Sequence, residues 1–107
     1  MILMIKIKIA DKFFSRLLGL MFKKNLESNH GLLIFPCNSI HMLFMRFSID
    51  AVYVDKNFVI KKIVKNLKPY IGFSICLNAY AVLEIVAGEA DRLNYKVGQK
   101  LIFEVEG

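Results

Sequence analysis

Period-two alternation recurs along this chain while helical spacing occupies one long segment, and that contrast most limits the folds it can reach. Over Ile2–Ala10, Ile5, Ile7 and Ile9 fall on one side of an extended backbone and Lys6 and Lys8 on the other, the pattern of a half-buried strand. The apolar run Gly31-Leu32-Leu33-Ile34-Phe35 stops at Pro36, which has no N–H for a ladder, and predicts a short buried strand. Another strand is expected over about 39–46. Ala51–Val54 and Phe58–Val64 read as two strands around a tight turn at Asp55, Lys56 and Asn57. With Tyr80–Ala87 and Leu101–Glu106 the total is about seven strands.

The helical segment begins at Asp11, an N-cap residue, and sets Phe14, Leu17, Leu18 and Met21 on one face before Lys23 and Lys24 meet the negative end of the helix dipole. It predicts one amphipathic helix over about 11–23. Pro69 and Gly72 break either period over Lys68–Asn78, so that stretch is expected to be a loop packed on the body. Gly88–Tyr95 suggests a short helical turn. Many short strands in one small chain favour a mainly β (α+β) domain, its sheet curled into a barrel-like shape with the helix over an open end or edge.

Residues 1–107 are expected to form a single domain, since two cores need more chain than this. Hydrophobic residues make up 56% and charged residues 22%, which excludes the composition of a disordered chain. The charge-free stretch Pro69–Leu83 is shorter than the ~20 apolar residues of a spanning helix. The lysines inside MILMIKIKIA interrupt any signal-peptide core, and a cytoplasmic location is the expectation. Cys37 and Cys76 are expected as reduced thiols, because disulfide-dependent small domains carry more cysteines.

Fifteen basic residues against nine acidic give a formal net charge of +6. Apart from Arg16, Arg46 and Arg92 the basic residues are lysines, which are poorly suited to bidentate phosphate or base recognition. Lys61, Lys62, Lys65 and Lys68 lie near Tyr70 and Phe73, as in single-strand binders, but are divided between two strand faces. A nucleic-acid partner is therefore not expected.

Four ordered segments carry a family resemblance: Arg16-Leu17-Leu18-Gly19-Leu20-Met21, then Gly31–Phe35, then His41–Met45 with Ile49-Asp50 and Asp55, then Val82-Leu83-Glu84 with Ala87-Gly88. From about Arg16 to Gly98 the chain resembles the family catalogued as domain of unknown function 192. It departs from the family pattern at Ser48, where a Pro usually precedes Ile-Asp, and at Gln99, where an Asp usually follows the Gly. The resemblance implies a small β-barrel-like fold with a helix, and no established activity, cofactor or partner.

Cys37 and His41 invite a metal or nucleophile reading, but four residues along a strand separate them by about 13 Å. Adding His30 and Cys76 would require an unrelated convergence, so no metal and no cofactor is expected. Arg46, Asp50 and Glu84 sit among apolar neighbours in the family-like segments, where buried charges must be paired or hydrogen-bonded. Either an internal Arg–carboxylate pair fixes the fold, or His41, Arg46, Asp50 and Glu84 line a pocket mouth for a small polar or anionic ligand. No phosphate loop, GxSxG elbow or HExxH is present. The sequence points to a binding or accessory module for a small polar ligand or a protein partner rather than an enzyme. The alternatives are an enzyme using His41 with Asp50 or Glu84, and a weak nucleic-acid binder.

Overall fold

The structure, a computed structural model, describes residues 5–10, 29–42 and 45–105. Among the described residues are β1 (Ile5–Ala10), β2 (His30–Ile34), β3 (Ser39–His41), β4 (Ile49–Val54), β5 (Ile60–Leu67), β6 (Phe73–Ile75), β7 (Ala81–Val86), α1 (Glu89–Arg92) and β8 (Phe103–Val105). The amphipathic helix expected over 11–23 lies outside the described residues. No helix among the described residues is long and apolar enough to cross a membrane.

Six strands form a mixed sheet in the order β5-β4-β7-β2-β1-β8, and β3 pairs with β6 in a separate two-stranded arm. Antiparallel neighbours β4 and β7 lie inside the sheet, each with a strand on either side, and nearly every residue on them is buried. Both faces of the sheet are therefore covered, which is why AVYV and AVLEIV lack the polar alternation of a one-sided strand. Leu32, Ala51, Tyr53 and Val82 belong to the core on one face; Leu33, Val52, Leu83 and Ile85 belong to that on the other. Gly31 allows β2 to approach β7, because a Cβ there would lie 2.8 Å from Leu83 Cδ1 and 2.9 Å from Ile85 Cγ2.

The expected hairpin is present: β4 and β5 pair antiparallel, and Asp55 Oδ1 accepts the N–H groups of Asn57 and Val59 in the turn. The expected barrel is not, because the sheet stays open with β5 and β8 at its edges. β8 is three residues long and pairs with β1, and between the Val59 and Lys100 segments there is one isolated bridge rather than a ladder. Exposed lysines 61, 62 and 65 along β5 discourage further pairing at that edge.

A second correction concerns 68–78, read from sequence as a loop, which contains β6. With three residues, β6 is too short for its alternation to stand out against Pro69 and Gly72. Of the strand expected over 39–46, the described residues contain β3, Ser39–His41.

Candidate functional site

Asp50 occupies the irregularity between β4 and β5, where register slips between Ile49 and Ala51. The slip leaves Asn66 with φ of 57° and its N–H turned away from the ladder. Asp50 Oδ1 accepts that N–H at 2.9 Å, while Oδ2 accepts the N–H groups of Gly88 and Ala90 at 3.0 Å each. With 1% of its surface exposed, the carboxylate fastens the β5 bulge to the start of α1. Arg46 is exposed and forms no ion pair with Asp50, so the Arg–carboxylate pair considered from sequence is replaced by three backbone donors.

Glu84 faces the other way. In β7 it pairs with Leu32 of β2 and Ala51 of β4, whereas Asp50 pairs with Ile85. Directly paired residues share a sheet face, so the two carboxyl groups lie on opposite faces of the sheet. Nothing among the described residues joins either carboxyl group to His41, which is exposed on β3 opposite Phe73. The four residues singled out from the sequence are thus distributed between one sheet face, the opposite face and the exposed arm.

Of the four, Glu84 is the one buried without a polar partner among the described residues. Its residue is 7% exposed, and no hydrogen bond or ion pair to it exists among the described residues. Burial alone pushes its carboxyl up to about 7. A group titrating there can accept a hydrogen bond in one state and donate one in the other at neutral pH. Tyr53 lies on the same face, fully buried, with its hydroxyl sharing a 2.6 Å hydrogen bond with Ser74. Burial, and secondarily the nearby Cys37, Cys76 and Glu84, push its phenol up to about 12.

The cysteines sit where the arm meets this face. Cys37 Sγ donates to Ser39 O and Cys76 Sγ to Asn78 Oδ1, each at 3.1 Å. An open pocket of about 230 Å³ lies between Pro36–Ser39 and Ala79–Tyr80, with Cys37 on its wall. No group of three or more His, Cys, Asp or Glu among the described residues is placed to hold a metal ion.

The β5 lysines diverge: Lys61 faces Asp55 at 3.6 Å, Lys65 bonds Asp91 at 2.6 Å, and Lys62 Nζ donates to Ile75 O at 2.8 Å. Two features escaped sequence reasoning. One is the exposed apolar arm around β6. The other is Glu89, the buried first residue of α1, which accepts the Asn29 N–H at 2.7 Å and pairs with Arg92. Its only sequence signal is the i, i+3 spacing of Glu89 and Arg92.

Comparison with known proteins agrees with this architecture. A "UPF0127 protein" of Thermococcus sibiricus is 35% identical over 107 residues, covering 94% of this chain and 68% of the relative. "UPF0127 protein PH1112" of Pyrococcus horikoshii is 34% identical over 102 residues, covering 90% and 85%. A crystal structure of a protein of unknown function from Novosphingobium aromaticivorans superposes with a TM-score of 0.80 at 27% identity, over 88% of this chain and 71% of that one. A putative transcription regulator from Sinorhizobium meliloti has a TM-score of 0.81 at 22% identity, over 88% and 78%, a likeness of fold alone. The DUF192 family model, described as "Uncharacterized ACR, COG1430", matches residues 2–103, and this chain belongs to that family.

Proposed function

We propose that the protein is a binding module for a small polar ligand that presents a hydrogen-bond donor, an ammonium or amidinium group in the simplest case, to Glu84. The observation carrying this reading is a carboxyl group held in an apolar sheet face with no hydrogen-bond or ion-pair partner among the described residues. Such burial destabilises the ionised form, and nothing among the described residues offsets it. A side chain that breaks a folding rule without local compensation is where function is expected. Its cross-strand neighbours Leu32 and Ala51 flank it with apolar surface. The anionic ligand considered from sequence is disfavoured, since Arg46 is exposed and a carboxylate would face the anion.

A donor bound at Glu84 stabilises the carboxylate, so binding should release a proton and tighten as pH rises through about 7. Titration with methylammonium and guanidinium, followed by the Glu84 carboxyl ¹³C shift, tests this. The reading expects saturable binding that moves this carboxyl and is lost in Glu84→Gln; equal binding by Glu84→Gln would refute it.

A further inference from the structure

Apolar side chains are unusually exposed along one line of this molecule. Tyr70, Ile71, Phe73, Ile75 and Leu77 are between 41% and 83% exposed, the extremes being Ile75 in β6 and Ile71 in the turn before it. A run of this kind marks an interaction surface more often than chance exposure. It also coincides with a strand edge on which no second strand lies among the described residues. The bonds from Met42 N–H to Gly72 O and from Cys76 N–H to Asn38 O set the phase of the β3–β6 ladder, so Ser74 is the β6 residue bonded to β3. The backbone groups of Phe73 and Ile75 therefore point away from β3, and β6 has no other strand partner among the described residues. Lys62 Nζ caps Ile75 O on that side.

Charge selects the partner. No Asp or Glu occurs from residue 56 to 83, or from 28 to 49, while Lys62, Lys68 and His41 are exposed around the arm. We propose that the β6 edge is a docking site for an extended polypeptide segment with alternating apolar and acidic residues, added as a strand beside Phe73 and Ile75. Main-chain bonds at the edge would supply affinity, the apolar side chains would supply contact area, and the carboxylates would meet Lys62 and Lys68. A bilayer is a poorer occupant because hydrocarbon cannot satisfy the edge N–H and C=O groups. A second copy of the chain is poorer too, since pairing β6 with β6 would bring like-charged lysines together.

The test uses a fluorescently labelled synthetic peptide of alternating valine and glutamate, about ten residues long, enough to span the ~20 Å from Ile71 to Leu77. A valine–lysine peptide and phosphatidylserine vesicles serve as comparisons. Binding to the glutamate peptide at least about tenfold tighter than to the lysine peptide, weakened by salt, with amide shifts at Phe73 and Ile75, is the expected result. Ile75→Pro removes an outward N–H without touching the bonds to β3 and should abolish binding. Ile71→Ser with Leu77→Ser, at exposed positions, should weaken it even if the proline variant fails to fold. Equal affinity for the two peptides, shifts confined to another surface, recruitment to vesicles in place of peptide, or dimerisation through β6 would each overturn the proposal.

Discussion

Tyr53 and Ser74 share a 2.6 Å hydrogen bond between β4, an inner strand of the six-stranded sheet, and the two-stranded arm. Both residues are buried, and Tyr53 shares its face with the cysteines and Glu84. Truncating one partner strands the other in a dry site. Tyr53→Phe and Ser74→Ala should each lower stability by about 1–3 kcal/mol, and the double variant should cost less than their sum. Chemical denaturation of the four proteins gives the coupling. Additive losses would mean that the bond does not hold the arm to the sheet.

Removing the Asp50 carboxylate leaves three backbone N–H groups without their acceptor. Asp50→Ala should cost about 3–5 kcal/mol, on the scale of breaking a buried charged contact. His41→Ala and Arg46→Ala, at exposed positions, should stay within about 0.5 kcal/mol. Urea midpoints of the three variants separate the roles; an unchanged midpoint for Asp50→Ala would assign that carboxylate to ligand binding or catalysis.

At Gly31 the obstacle is steric. A methyl group would press on Leu83 Cδ1, Ile85 Cγ2 and, at 3.2 Å, on the Glu84 carbonyl oxygen. Gly31→Ala should destabilise by about 1–3 kcal/mol despite its better intrinsic conformational economy in a strand. A thermal midpoint equal to that of the parent protein would show that β2 and β7 separate easily.

Burial raises the Glu84 carboxyl from 4.5 to about 7, so folding favours its protonated form. The associated stability is fully present below about pH 4.5 and is lost as pH rises through about 7. At about 1.4 kcal/mol per tenfold change in proton affinity, the loss is about 3 kcal/mol. Glu84→Gln should therefore gain on the parent protein across this window and hold a constant advantage above it. Paired unfolding curves from pH 4 to pH 9 check the difference; a difference independent of pH would place the carboxyl in water.

Much of the sheet was legible from local patterns. The alternation at Ile5 and Ile7, the apolar run before Pro36, and the turn at Asp55 each specify a strand or its end through side-chain period and backbone chemistry. Closure was not legible, because whether β8 reaches β5 depends on tertiary placement of Gly98–Leu101 and on the lysines along β5. β6 was hidden for a different reason: its three residues lie between two turns that dominate the local signal. Asp50 and Glu84 stood out as charges among apolar neighbours. Their opposite orientations follow from the β4–β7 register, in which Asp50 meets Ile85 and Glu84 meets Ala51, and register cannot be read from either strand alone.

The most direct measurement of the central claim is the titration of Glu84 itself, followed by its carboxyl ¹³C resonance in the folded protein from pH 3 to pH 9, assigned by its disappearance in Glu84→Gln. A carboxyl buried in an apolar sheet face and without a partner among the described residues should titrate near 7 and shift downward when guanidinium is added. Titration near 4.5, unchanged by guanidinium, would show a solvated side chain and contradict the proposal that Glu84 is the recognition group.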